Sequence, residues 1–265
     1  MKKLLFFVAI AIFGFSNISA QEDLFTYDYR NVPADEMVVF MANEAMYWSK
    51  IHAVLLKKGK LTGWTVSRRV GGLASEPNVY FYLGIGSYEN MDNLYKDWPE
   101  AEKEVRNAMD EEKLALIDER LKQNKFRVGN VLFNRRSFVG STTGDWNFLV
   151  HNYAKATDVG AFLDVQDKYF KPFFEENINN KNTKQVFWMT AEVLSPQGHG
   201  YNWNCYTLDA YKNMSDMYNA WNNEVTFPED GLKEANDLMK NQSFYKRVVW
   251  RKVMSLDTEG NLIKN

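Results

Sequence analysis

The segment 88–98, YENMDNLYKDW, returns at 211–221 as YKNMSDMYNAW, with Tyr, Asn, Met, Tyr and Trp in register 123 positions apart. Met, Tyr and Trp are infrequent residues, so the agreement carries more weight than its length suggests. The same spacing relates Phe25 to Phe148 and Asp35 to Asp158; a spacing of 124 relates Trp64 to Trp188, and one of 118 relates Lys122 and Phe126 to Lys240 and Phe244. Drifts of a few residues are what loop-length changes produce between two copies of one unit. The joint is the glycine-bounded run GSTTG at 140–144. The chain therefore divides into a first unit at 21–140, a linker at 141–147, a second unit at 148–258 and a tail at 259–265.

Each unit has the same order of elements. In the first, 25–32 is aromatic-rich and alternates as a half-buried strand does. Pro33 and Asp35 then open a helix, where proline is tolerated and a carboxylate suits the positive end of the dipole. Met37, Met41, Ala45, Trp48 and Leu55 share one of its faces, and Gly59 ends it. Two β-rich runs at 64–70 and 79–85 flank a Gly/Pro loop. Ser87 is placed to cap the helix carrying the repeated motif, whose Tyr88, Met91, Tyr95 and Trp98 read as helix-to-sheet core. A further helix and a closing strand at 126–138 follow. The second unit repeats this with strands at 148–154, 186–194, 201–208 and 245–254, and Pro172 is expected to kink its first helix.

A β-α-β-β-α-β unit is the split βαβ motif, an antiparallel sheet with both helices on one face. Its other face is bare and needs a partner sheet. The expected fold is α+β: two tandem ferredoxin-like βαββαβ units packed sheet to sheet as a pseudo-dimeric α/β barrel, helices outside. This order resembles the dimeric α/β-barrel superfamily, with its NIPSNAP-like, EthD-like and antibiotic-biosynthesis-monooxygenase-like domains. The resemblance spans nearly all of the chain after residue 20 but rests on element order and duplication. It transfers no active site. It implies a cavity between the sheets, where members of that superfamily hold a small apolar or aromatic substrate, or haem.

The first 20 residues have a basic start, an apolar run at 4–15 and small residues before Gln21. That is the grammar of a secretory signal peptide cleaved after Ala20, and the apolar run is shorter than the ~20 residues a membrane anchor needs. No cysteine lies near the cleavage point, so a chain exported to the periplasm or beyond, without an anchor, is expected. Losing Lys2 and Lys3 leaves 30 basic against 34 acidic residues, a net of −4. Such a balance offers no footprint for nucleic acid or an anionic membrane. Cys205 is the only cysteine, so no intramolecular disulfide forms, and a lone cysteine on a strand reads as an inert buried residue.

The sequence contains no HExxH, CxxC, GxSxG or GxxxxGK[ST] motif. Gly84-Ile-Gly86 lacks the third glycine of a dinucleotide loop. With three histidines, a histidine-rich metal cluster is excluded. His52 falls in an apolar helix and reads as structural, His199 as a solvated turn residue. His151 is different, because alternation sets Leu149, His151 and Tyr153 on one strand face. The spacing of 123 matches Asp28 to His151 and Arg30 to Tyr153. If that polar set faces the space between the sheets, Asp28 and His151 are the candidate acid and base, with Arg30 and Tyr153 as ligand contacts. If it faces water, the charges pair or are solvated. Among the strand aromatics Trp64, Tyr80, Tyr82, Trp188, Tyr201, Trp203 and Trp250, Tyr82 and Trp203 are the candidates for stacking on a flat ligand. No cofactor is expected, although His151 is chemically able to ligate haem. Three functions compete: binding of a small apolar or aromatic molecule between the sheets, cofactor-independent catalysis of a monooxygenase or isomerase type, and a protein-interaction module with a filled interior. The filling of the interior separates them.

Overall fold

Phe25, Tyr27 and Tyr29 alternate with Thr26, Asp28 and Arg30, which makes a strand with two unlike faces, and β1 (Leu24–Arg30) follows from it. The computed structural model describes residues 22–123, 126–141, 145–198, 201–221, 225–240 and 244–265. The leader at 1–20 and His199 lie outside the described residues.

After β1 come α1 (Met37–Asn43), a π-helical turn (Glu44–Trp48), α2 (Ser49–Lys57), β2 (Gly63–Arg69), β3 (Val79–Gly86), α3 (Tyr88–Asn107), α4 (Glu111–Gln123) and β4 (Arg127–Gly140). The second half runs β5 (Phe148–Ala154), α5 (Val159–Val165), a π-helical turn (Gln166–Phe170), α6 (Lys171–Asn179), β6 (Gln185–Ser195), β7 (Cys205–Tyr211), α7 (Met214–Tyr218), α8 (Glu229–Leu238) and β8 (Lys246–Leu256). A short β9 (Leu262–Lys264) lies in the stretch read as a tail and pairs with β8. Gly59, at φ +67°, turns the chain out of α2. Ser87 caps α3 by accepting from the Asn90 amide at 3.1 Å. Pro172 lies inside a helix that runs without a break from Val159 to Asn179, directly after a π-helical turn. The π-helical turn before it has a counterpart in the first half with no proline, so proline does not cause it.

The strands run in the order β2-β3-β1-β4-β6-β7-β5-β8, and β2 pairs with β8 to close the ring. Every pairing is antiparallel. The result is an eight-stranded barrel in which each half contributes four neighbouring strands in equivalent order. The halves do not simply lie face to face. Their edge strands are hydrogen-bonded along two seams, β4 to β6 and β2 to β8, which leaves none of these edges unpaired. The sheet face that each half would leave bare becomes one shared interior of Phe25, Tyr27, Tyr80, Phe133, Leu149, Tyr206, Leu208 and Trp250 with their neighbours.

The helices cover the outside. Tyr47, Ile51 and Leu55 pack with Ala101, Val105 and Ile117 over the first half, and Phe162, Phe170, Phe174 and Ala235 pack over Trp188 and Cys205 on the second. The repeated motif is only half core. Met91, Leu94 and Trp98 face inward, but Tyr95 is 82% exposed and Tyr88 47%, contrary to the uniform buried face expected of them. Trp64 and Trp188 also lie on the outer faces, beneath helices, rather than in the interior. Among the described residues no helix is long and apolar enough to cross a membrane.

Candidate functional site

β5 points Leu149, His151 and Tyr153 into the barrel, as alternation requires. His151 is fully buried. Its ring stacks on Tyr27 at 5.1 Å and lies 5.2 Å from Tyr80 and 5.6 Å from Tyr206. Nδ1 meets the Tyr153 hydroxyl at 3.2 Å, and Nε2 has no hydrogen-bond partner. Burial pushes the His151 pKa down to about 3, so the ring is neutral. Around it the Tyr29 and Tyr153 hydroxyls meet at 3.0 Å and those of Tyr27 and Tyr206 at 2.8 Å. Burial raises all four phenols, which therefore stay protonated.

Asp28 and Arg30 are not part of this group, and the expectation that they share a cavity with His151 and Tyr153 is corrected. They lie on the other face of β1. Asp28 is ion-paired to Arg30, and to Arg127 at 3.0 Å. The Arg30 guanidinium sits 5.5 Å from the centroid of Phe81, a member of the cluster beneath α1. A one-residue register error explains the misplacement, since it exchanges the two faces of a strand.

Tyr153 is in the interior but behind the packed rings. Trp203, in the β6–β7 loop, stacks on Phe133 at 5.8 Å and lies 4.6 Å from Tyr153, so it closes one end of the barrel. Tyr201 is exposed. His52 is stacked on Trp64 at 5.0 Å, its Nδ1 2.6 Å from the Trp48 carbonyl oxygen, and burial lowers its pKa to about 4. Cys205 is buried and its thiol is pushed up to about 12 by that burial.

The other end of the barrel is open. A cavity of about 840 Å³ enters there, with Tyr27, Tyr80, Leu149, Phe187, Met189 and Leu208 on its walls and Tyr82, Trp146, Arg135 and Lys252 among the residues nearer the rim. Of the residues nominated from sequence, Tyr82 lines it. Arg135 and Lys252 were not nominated. The Arg135 guanidinium lies between the Phe25 and Phe138 rings, 5.7 and 5.6 Å from their centroids. It donates to the Tyr82 hydroxyl at 3.1 Å and pairs with Asp23 at 3.0 Å, while its Nε has no hydrogen-bond partner. The Lys252 amine stands 4.2 Å from the centroid of Trp146, and burial lowers its pKa.

Both cations continue the inward face of their strands by alternation, after Val131 and Phe133 on β4 and after Val248 and Trp250 on β8, and a β-bulge follows each. Arg135 pairs with Ala191 and Ser137 with Thr190, so Arg136 is the extra residue. It turns outward to Asp164 and Asp167 at 2.9 and 3.1 Å. On β8, Lys252 pairs with Ser67 and Met254 with Val66, leaving Val253 as the extra residue. The bulge after Arg135 reverses the alternation beyond it, so that Phe138 packs against the interior. In the sequence, adjacent Arg135 and Arg136 look like a solvated charge run, although alternation sends them to opposite faces.

A cavity of this volume, with aromatic and aliphatic side chains at its inner end and polar and charged ones around its mouth, has the makings of a small-molecule site. Among the described residues no three His, Cys, Asp or Glu side chains converge as a metal site. Haem does not fit at His151, because the packed Tyr27, Tyr80 and Tyr206 rings occupy the space a macrocycle would need.

No protein-family model matches the chain, and no curated protein does. Its fold resembles that of known α/β-barrel structures. A candidate monooxygenase from Fusobacterium nucleatum subsp. nucleatum shares it with a TM-score of 0.56 and 13% identity, over 94% of this chain and 100% of that one. Further off are a candidate monooxygenase from Lactobacillus acidophilus (TM-score 0.46, 10% identity, 92% and 96% covered) and chlorite dismutase from Candidatus Nitrospira defluvii (0.44, 8%, 89% and 92%). At these identities the likeness is one of fold.

Proposed function

We propose that this chain is an exported protein that binds a small, mostly apolar or aromatic molecule in the open mouth of its barrel. In this reading the two halves are tandem ferredoxin-like units forming a pseudo-dimer, residues 1–20 direct export, and the remainder acts in the periplasm or outside the cell without an anchor. The observation that carries the reading is the cavity of about 840 Å³, aromatic and aliphatic at its inner end and polar at its mouth, within the size range of ligand sites. A filled interior would have favoured the interaction-module reading, and the interior is filled on one side only.

The cofactor-independent enzyme remains the alternative, with a fold shared by a candidate monooxygenase. The geometry favours binding, because His151, the nominated base, sits behind Tyr27 and Tyr80 rather than on the cavity wall. The test is a titration of the chain lacking residues 1–20 with prodan, an uncharged flat fluorophore. A blue-shifted emission that saturates, and that disappears when Leu208→Trp fills the cavity, is expected. Saturable binding that the Leu208→Trp protein retains in full would place the site elsewhere.

A further inference from the structure

Arg135 and Lys252 occupy equivalent places in the two halves. Tyr27 faces Val131 across the β1–β4 ladder, and His151 faces Val248 across the β5–β8 ladder. Counting on by two inward-facing positions at a time reaches Arg135 on β4 and Lys252 on β8. Each is followed by the extra residue of a bulge, at the corresponding seam between halves. The duplication thus keeps a bulge and an inward-turned cation at the same end of both closing strands. At Arg135 the neighbouring Asp23 and Tyr82 outweigh the cost of burial, whereas at Lys252, half-buried against Trp146, burial disfavours the charge. A charge held at an aromatic cavity against that cost is accounted for by an anion it meets.

We propose that the barrel mouth is a carboxylate site: it takes a flat aromatic or conjugated acid, whose rings enter among Tyr80, Tyr82 and Leu208 and whose carboxylate meets Lys252 and Arg135. The inference rests on the reading of the mouth as the ligand site and adds the charge of the ligand. Asp145 favours the charged form of Lys252 from beyond ion-pair distance, and none of the acids near the rim makes an ion pair with it. Asp23 is engaged by Arg135 at 3.0 Å, Asp145 is paired to Lys212 at 3.7 Å, and Asp257 accepts from the backbone amides of Glu259 and Asn261 at 2.9 and 2.7 Å. Among the described residues Lys252 forms no ion pair. A single ammonium on a flexible stem accepts a carboxylate in several orientations, whereas the guanidinium clamped between two phenyl rings is fixed. The site therefore combines one rigid and one adaptable donor.

The experiment compares 2-naphthoate with its uncharged isostere 2-naphthamide by calorimetric titration of the chain lacking residues 1–20. The probes are matched in shape, so their ratio reads charge alone. The expected result is naphthoate bound at least tenfold more tightly, the ratio falling below about threefold in Lys252→Gln and holding in Arg136→Gln, which removes the same charge from the outward side of the bulge. Equal affinities in the unsubstituted protein overturn the carboxylate site while leaving an uncharged-ligand site standing. A preference that survives Lys252→Gln also overturns it. If neither probe binds and prodan does not either, the mouth itself fails as a ligand site. Lys252→Gln decides the matter even if Arg135→Gln, which strands Asp23, does not fold.

Discussion

Tyr29 on β1 and Tyr153 on β5 hold the same place in the two halves, 124 positions apart, and their hydroxyls meet at 3.0 Å inside the barrel. Tyr153 also meets His151 Nδ1 at 3.2 Å, so the two phenols are unequal. Tyr153→Phe leaves both Tyr29 and His151 short of a partner, while Tyr29→Phe leaves Tyr153 bonded to His151. A stranded buried polar group costs about 1–3 kcal/mol. Urea unfolding should therefore show Tyr153→Phe as the more destabilising change. The double variant should cost less than the two singles added, by about 1 kcal/mol. Additive losses would mean that the hydroxyls do not interact.

The same spacing shows what could be read from the sequence. Phe25 with Phe148 and Asp35 with Asp158 suggest 123, whereas Trp64 with Trp188 gives 124. The ladders require 124 at β1 as well, since Tyr27 and His151 are the inward residues opposite Val131 and Val248. Because side chains alternate, one residue of error moved Asp28 and Arg30 from beneath the helices into the barrel. The order of strands and helices is legible, because it depends on hydrophobic period and turn residues. The choice of face is not, because helices cover one face of β1 and the closed barrel covers the other, so both are shielded and alternation distinguishes only inside from outside of a single layer. Arg135 and Lys252 are hidden for a related reason: a lone cation at the end of an aromatic strand face reads as solvated unless the face is known to be the interior.

Acid should destabilise the protein through its buried histidines. Burial holds His151 at about 3 and His52 at about 4, against an ordinary value near 6.5. Below about 6.5 the unfolded chain takes up protons that the folded chain refuses, so their contribution to stability is highest above that value and falls as pH drops towards 4. Each unit of such a shift corresponds to ~1.4 kcal/mol. Buried Glu44, raised to about 8, acts in the opposite sense over the same range, so the histidine contribution is read as a difference: between pH 7.5 and 4.5 the urea midpoint of His151→Phe, which lacks one of the two titrating rings, should shift upward relative to the unsubstituted protein as pH falls. An unchanged slope in that variant would show that His151 protonates in the folded protein.

The seam between the halves has a point of no tolerance at Gly140. Its φ is +96°, and a Cβ there would collide with the Val186 carbonyl oxygen and lie 2.9 Å from the Phe187 Cα. Both contacts are backbone on the neighbouring strand, which cannot yield without opening the β4–β6 ladder. Gly140→Ala should lower stability by more than about 2 kcal/mol. Gly160→Ala in α5 is the control: its Cβ would meet nothing nearer than an Asp158 carboxylate oxygen at 3.5 Å, and alanine there should be neutral or stabilising by up to about 1 kcal/mol. Thermal unfolding of the two variants side by side tests the contrast, and similar midpoints would contradict the seam geometry.

Cys205 offers a reporter of how the helical layer comes off the barrel. It begins β7 on the outer face, fully buried beneath Phe162, Phe174 and Ala235, and its thiol is raised to about 12 by that burial. The thiolate is the nucleophile that attacks a disulfide reagent; it is scarce at that pKa and has no path to solvent while the helices are docked. Labelling by a disulfide reagent at pH 8 should therefore be slow in the folded protein and complete within seconds in 6 M guanidinium. Its rate should rise with low concentrations of urea as steeply as global unfolding does, because the same cluster joins α5, α6 and α8 to β6 and β7. A labelling rate that is fast, or that barely responds to urea, would mean that these helices detach by themselves, leaving the barrel closed beneath them.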